Sequence, residues 1–243
     1  YGVTRLAARS QGRDDRDDEL GLHFDLTVPF ARYVLENAGK LTFPFRRYQI
    51  QKVWRGERPQ DGRFREFIQA DIDVVDVGEL PFHYEVELPL VIADAFARIP
   101  MGPFKILVNN RRICEGFYLG LGIAAADVAP VLRIVDKIDK IGSPAVAAAL
   151  VEAGLTPEQA AACVALAQIS SSDTTFVDQV RGLGVSHPVL DEGLAQLAAV
   201  VAAAADLAPG LLEANLKIAR GLDYYTGTVY ETVLVGHESY GSI

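Results

Sequence analysis

Cysteine is nearly absent from this sequence: Cys114 and Cys163 are the whole supply, which excludes a disulfide-stapled scaffold. Long apolar runs are missing too. A membrane span needs about 18 residues, and Asp206 and Pro209 interrupt the alanine-rich stretch 195–208. Residues 1–16 hold no apolar segment of the kind a secretory signal requires. A cytoplasmic protein with no membrane contact is therefore expected. Several chemical frameworks are absent as well. There is no G-x-x-x-x-G-K-[ST] phosphate loop and no G-x-S-x-G nucleophile elbow. The four histidines (His23, His83, His187, His237) are scattered, so no metal site is expected. Gly120 to Ala125 spells G-x-G-x-x-A, but it follows a helical texture where a dinucleotide fingerprint requires a strand. It reads as a glycine turn between helices.

What is present suits a real core. Half of the 243 residues are hydrophobic and 23% are charged, enough for one large domain or one domain with a smaller one inserted. The net charge of −9 argues against a general nucleic-acid coat. Charge is uneven, however. Residues 45–67 carry Arg46, Arg47, Lys52, Arg55, Arg58, Arg63 and Arg65 against Glu57, Asp61 and Glu66, a local +4. A basic island in an acidic chain fits a local anionic ligand, or on charge alone a solvated arginine-rich hairpin. The chain starts at Tyr1 and stops at Ile243 without start or capping signals, so a fragment is expected.

Hydrophobic periodicity divides the chain. Residues 22–28 alternate like a half-buried strand, and Pro29 opens a helix running to about Asn37. Residues 48–54 and 67–75 both alternate, and the link 56–65 holds Pro59, Asp61 and Gly62. Together they predict a long antiparallel hairpin over 46–76. Phe67, Gln69, Asp71 and Asp73 fall on one face of its second strand. A face that polar suits a pocket floor better than a core. A helix is expected over 81–99 and strands over 104–108, 211–218 and 228–235. Residues 120–210 are alanine-rich, helical in period and punctuated by Gly142, Gly154, Pro157, Gly184 and Pro188, like a small helical domain inserted between strands. That stretch is itself acidic, with no basic track for RNA.

Two segments concentrate chemistry. The hairpin reads Arg55-Gly56-Glu57, a loop, then Arg63-Phe64-Arg65-Glu66-Phe67 on the returning strand. Arginine offers a fixed fork of donors for phosphate oxygens, and on an antiparallel hairpin Arg55 can lie near Phe67, whose ring can stack a base. The second segment is Ala219-Arg220-Gly221-Leu222-Asp223-Tyr224-Tyr225-Thr226-Gly227, a glycine-framed turn with one cation and two phenols.

These residues resemble a known family. The Arg-x-Glu hairpin is similar to motif 2 of the class II aminoacyl-tRNA synthetases. Residues 219–227 resemble the signature that sets histidyl-tRNA synthetases apart within that class, and Asp25-Leu26-Thr27-Val28-Pro29 resembles the family's segment ahead of motif 2. The resemblance covers about residues 20–119 and 211–235. It implies an α+β fold: a class II synthetase-like antiparallel sheet flanked by helices. Residues 1–119 and 211–243 would form the catalytic core and 120–210 the helical insertion domain.

The resemblance also implies the chemistry. Histidine and ATP, with Mg²⁺, would give histidyl-adenylate and pyrophosphate, and histidine would then pass to tRNA(His). Arg55 and Arg220 would be the catalytic arginines on the α-phosphate. Glu57, Arg63, Arg65 and Phe67 would bind ATP with Arg55. Asp25, Thr27, Gln69, Asp73, Arg220, Tyr224 and Tyr225 would bind histidine, Asp73 and Tyr225 reading the two ring nitrogens. A cytoplasmic homodimer is the implied assembly. The family's motif 1 and motif 3 and its anticodon-binding domain do not occur in residues 1–243, so poor dimerisation and little activity are expected of the chain by itself. The alternative is a non-catalytic, histidine-sensing paralogue acting as an ATP phosphoribosyltransferase regulatory subunit.

Overall fold

A period of two dominates the N-terminal part and a helical period the rest. In the computed structural model, which describes residues 2–3, 20–56, 62–218, 225–237 and 240–243, the chain forms two compact units, Tyr1–Tyr84 and Glu85–Ile243.

In the first unit β1 (Gly2–Val3) pairs antiparallel with β2 (Leu20–Gly21). Helix α1 covers Thr27–Asn37, followed by a 3₁₀ turn at Ala38–Lys40. The strand expected over 22–28 is not formed. The His23 carbonyl accepts one bond from the Trp54 amide at 3.0 Å. Asp25 Oδ1 then accepts from the Val28 amide at 3.2 Å and turns the chain into α1. A short carboxylate satisfying a free helix-terminal N–H outweighs the alternation here.

The expected hairpin is present as β3 (Phe45–Trp54) and β4 (Glu66–Val75), in antiparallel register from Phe45↔Val75 to Trp54↔Glu66. Its faces are inverted relative to an ordinary half-buried sheet. Tyr48, Ile50 and Ile68 are 78%, 66% and 66% exposed, whereas Arg47, Gln49, Gln69, Asp71 and Asp73 are half-buried. Among the described residues, the buried apolar side chains of this unit are Leu26, Phe30, Val53 and Tyr84.

The unit boundary falls in the first turn of α2 (His83–Ala97). Beyond it, β5 (Phe104–Asn110) leads into α3 (Arg111–Gly120), α4 (Ala125–Val135), α5 (Ile138–Ile141), α6 (Ser143–Glu152) and α7 (Pro157–Ala167). Then come β6 (Ser170–Ser171), α8 (Phe176–Gly182), α9 (Pro188–Leu207), β7 (Leu212–Asn215) and β8 (Thr228–Leu234). The sheet order is β6-β7-β5-β8. β5 runs parallel to β7 and antiparallel to β8, so the helices 111–207 lie within the crossover between two parallel neighbours. The buried run Ile106 to Asn110 suits a central strand covered on both faces. Ile106, Phe117, Leu150, Leu166, Leu197 and Leu216 belong to one continuous hydrophobic core.

Helices α3 and α9 cross at glycines. A Cβ on Gly116 would lie 2.1 Å from the Leu190 nitrogen, and one on Gly193 would lie 2.7 Å from the Ile113 nitrogen. The apolar-run reading needs one correction. The 20-residue α9 is long and apolar enough, by length and composition, to pass for a membrane span. Its Leu190, Leu194, Leu197, Val200 and Val201 are buried in the protein, which makes it a core helix. The G-x-G-x-x-A stretch contains the end of α3 and Gly122 at φ 79°, a glycine turn as expected.

Candidate active site

The inner face of the β3–β4 hairpin gathers the first unit's polar side chains. Antiparallel register places Arg47 opposite Asp73, Gln49 opposite Asp71, Gln51 opposite Gln69 and Val53 opposite Phe67. Alternation predicts Phe67, Gln69, Asp71 and Asp73 on one face, and the structure brings them together there.

Two arginines organise this face. Arg47 Nη2 lies 2.8 Å from Asp73 Oδ2 and donates to the Leu26 carbonyl at 3.0 Å. Its guanidinium sits 4.0 Å above the Phe30 ring, and Nη1 donates to Gln49 Oε1. The contact with Asp73 is a charge pair without aligned hydrogen-bond geometry, since Arg47 Nε, Asp71 Oδ2 and Asp73 Oδ2 are all buried with no hydrogen-bond partner. Burial pushes the Asp73 carboxyl above the usual carboxylate range. Arg47 pulls it back, and the neighbouring Asp71 and Asp25 push it up again. Buried acceptors and a donor left unmatched on one face suit a polar ligand that supplies the missing partners.

Arg55 is the second organiser. Its guanidinium lies between two rings, 4.6 Å from Phe24 and 5.0 Å from Phe67. Nε donates to the Phe24 carbonyl at 3.3 Å and Nη2 to Gln69 Oε1 at 3.4 Å. Gln69 Nε2 in turn donates to Asp71 Oδ1 at 2.7 Å. The closeness of Arg55 and Phe67 expected across the ladder is thus present. Held by two aromatic contacts and two hydrogen bonds, the guanidinium keeps its orientation with little left to order on binding an anion.

The remaining predicted residues fall as follows. Asp25 is buried ahead of α1, and Thr27 is its first, half-buried residue. Arg63 is half-buried and Arg65 exposed on the returning arm of the hairpin. Tyr225, in the second unit, is 43% exposed. Glu57, Arg220 and Tyr224 lie outside the described residues. Among the described residues, no three His, Cys, Asp or Glu side chains are grouped to hold a metal ion.

Sequence reasoning missed Arg47 as a site residue, having counted it only as charge. Asp71 was placed on the right face but given no role. The available signal was register: once 45–54 pairs with 66–75, Arg47 stands directly opposite Asp73.

The comparisons with known proteins agree with one another. The histidyl-tRNA synthetase family profile matches residues 8–240. The histidine–tRNA ligase of Micrococcus luteus is 59% identical over 252 residues, covering 100% of this chain and 55% of the relative. That of Cutibacterium acnes is 60% identical over 248 residues, covering 100% of this chain and 54% of the relative. Among solved structures, histidyl-tRNA synthetase from Nostoc sp. PCC 7120 superposes with a TM-score of 0.86 at 35% identity, covering 100% of this chain and 54% of that one. The chain thus spans about half the length of the curated relatives it matches.

Proposed function

Because the chain belongs to the histidyl-tRNA synthetase family, with the class II synthetase fold, we propose that it is the part of a histidine–tRNA ligase that activates histidine with ATP before transfer to tRNA(His). In the first step a histidine carboxylate oxygen attacks the α-phosphorus of ATP. The bond from that phosphorus to the bridging oxygen breaks, and pyrophosphate leaves. The attacking carboxylate is already ionised at neutral pH, so no general base is needed. The protein's task is alignment and neutralisation of phosphoryl charge. In the second step a ribose hydroxyl of the tRNA attacks the activated carbonyl carbon, and AMP departs.

Arg55 is assigned to the α-phosphate, and its seat between Phe24 and Phe67 supports that role. Arg220 is assigned to the same phosphate, with Glu57, Arg63, Arg65 and Phe67 completing the ATP site. Magnesium would arrive with the nucleotide's phosphates and lower their charge. Asp73 is assigned to one imidazole nitrogen and Tyr225 to the other, with Asp25, Thr27, Gln69 and Tyr224 around the amino-acid backbone. Arg47 and Asp71 join this set. Residues 120–210 are read as the insertion domain, and a cytoplasmic homodimer as the working assembly.

The observation that supports the reading is the pair of buried carboxylate oxygens without a hydrogen-bond partner, Asp71 Oδ2 and Asp73 Oδ2, on the face that also carries Arg47. A site built to hydrogen-bond an imidazole rejects side chains that lack its nitrogens by factors of about 10⁴. The test is exchange of labelled pyrophosphate into ATP by the full-length protein. Exchange that depends on histidine is expected, followed by charging of tRNA(His). Equal exchange with other amino acids, or histidine binding with no ATP site in calorimetry, overturns the assignment. The second outcome would point to a histidine-sensing paralogue.

A further inference from the structure

Three consecutive residues at the junction of β5 and α3 bond to Ile218 and to Gly227 and Thr228, the described residues on either side of 219–224 of the 219–227 segment. Asn109 is 1% exposed, and its Nδ2 donates to the Ile218 carbonyl at 2.7 Å and faces the Leu216 carbonyl at 3.4 Å. Its Oδ1 accepts from the Asn110 amide at 2.8 Å. Ile218 immediately precedes the segment. The Arg111 amide donates to the carbonyl of Gly227, at the far end, at 2.9 Å. Asn110 pairs with Thr228 in the β5–β8 ladder and directs Nδ2 to Thr228 Oγ1 at 3.5 Å and to Gln196 Oε1 at 3.0 Å. Its Oδ1 caps α3 by accepting from the Arg112 amide at 3.0 Å. The Thr228 hydroxyl also donates to Glu85 Oε2 on α2.

A side chain that only completed a strand end would need one partner. Asn109 instead offers a donor to one end of the segment while its acceptor fixes the neighbour that holds the other. A carboxamide presents both on one short planar group without needing a change of protonation. We propose that Asn109, with Thr228 at the opposite foot, is a positioning residue for the activation reaction. It fixes the flanking residues Ile218 and Gly227 without touching substrate. The proposal rests on the functional reading above, because that reading places Arg220, Tyr224 and Tyr225 on the segment.

The test uses the full-length protein with Asn109→Asp, Thr228→Val and Thr228→Ser. Asn109→Asp keeps the shape and the acceptor but turns an oxygen toward two carbonyls. Thr228→Val removes the hydroxyl at constant shape, and Thr228→Ser restores it. Pyrophosphate exchange is measured per active site, counted by burst titration. Asn109→Asp and Thr228→Val are expected to lower kcat on the order of 10- to 100-fold, with KM for ATP unchanged. Thr228→Ser is expected to recover wild-type kcat. A purely structural role would lower yield or Tm while leaving kcat per titrated site intact, and that result overturns the proposal. Should Asn109→Asp fail to fold, the Thr228 pair decides alone. Hydrogen exchange at the amides of 214–218 and 227–230 reads the clamp itself, independently of activity. If the wild-type protein shows no histidine-dependent exchange of pyrophosphate, the functional reading fails. Faster amide exchange in Asn109→Asp then still supports the clamp, and unchanged exchange removes it.

Discussion

Arg47 and Asp73 form one ion pair, yet losing either partner has different consequences. Their side chains are 11% and 18% exposed, so both charges are largely out of water. Without Asp73, Arg47 keeps the Leu26 carbonyl, Gln49 and the Phe30 ring. Without Arg47, Asp73 is left raised by burial and by the neighbouring Asp71 and Asp25, with its opposing cation gone. Arg47→Met is therefore expected to destabilise the protein by about 3 kcal/mol, and Asp73→Asn by much less. The pH dependence has a definite sign. The folded state holds the Asp73 proton more tightly than the unfolded chain does, so between the ordinary and the raised pKa the folded state binds more protons. This group's contribution to stability then falls as pH rises through that window, and Asp73→Asn removes the fall. Urea denaturation from acid to neutral pH measures both effects. A costlier Asp73→Asn than Arg47→Met would refute the assignment. At this scale alternation made the shared face of Phe67, Gln69 and Asp73 legible. The role of Arg47 was not, because it depends on how far the strands slide, and residues 57–61 between them carry no periodic signal.

At the scale of elements, the crossing of α3 and α9 makes the sharpest demand on sequence. Alanine normally favours a helix over glycine by about 1 kcal/mol. At Gly116 an added methyl would meet the Leu190 nitrogen at 2.1 Å and its Cα at 2.6 Å, backbone atoms that cannot swing aside. Gly116→Ala is expected to cost about 1–3 kcal/mol or more from overpacking. Gly182→Ala in α8, where nothing lies within 4 Å, should be neutral or slightly stabilising. Thermal unfolding of the two variants compares them directly, and equal shifts would discount the close crossing. Helical texture over 120–210 was readable from alanine content and period. That Gly116 and Gly193 are contact points was not, since a glycine inside a helical pattern looks the same whether it faces solvent or another backbone. The strand expected at 22–28 failed for a related reason: Asp25 satisfies the Val28 amide, a local bond that alternation does not encode.

Across the whole molecule the two units have unequal cores. Among the described residues, the first buries a handful of apolar side chains around Leu26, Phe30 and Val53, whereas the second buries a continuous cluster from Ile106 to Leu216. Local stability follows buried contact. The sequence holds a single tryptophan, Trp54, and it lies in the first unit, while most of the helix among the described residues lies in the second. In urea the 243-residue chain is expected to lose its Trp54 fluorescence signal at lower denaturant than its far-ultraviolet helix signal. Coincident transitions would show one cooperative body instead. The order of hairpin, helical stretch and closing strands could be read from periodicity, and the α+β class from the resemblance to the synthetase family. The parallel pairing of β5 with β7 could not, because it depends on where a crossover of about one hundred residues brings the chain back.

The inverted hairpin has a practical consequence. Side chains one position apart in β3 and β4 meet different environments, so solubility and the recognition proposed for this face fall on alternating letters of the same strands. Polar replacements at Tyr48, Ile50 or Ile68 would alter how the chain behaves in concentrated solution while the carboxylates behind them keep their setting. An engineer can therefore adjust handling and specificity on this ribbon as independent variables.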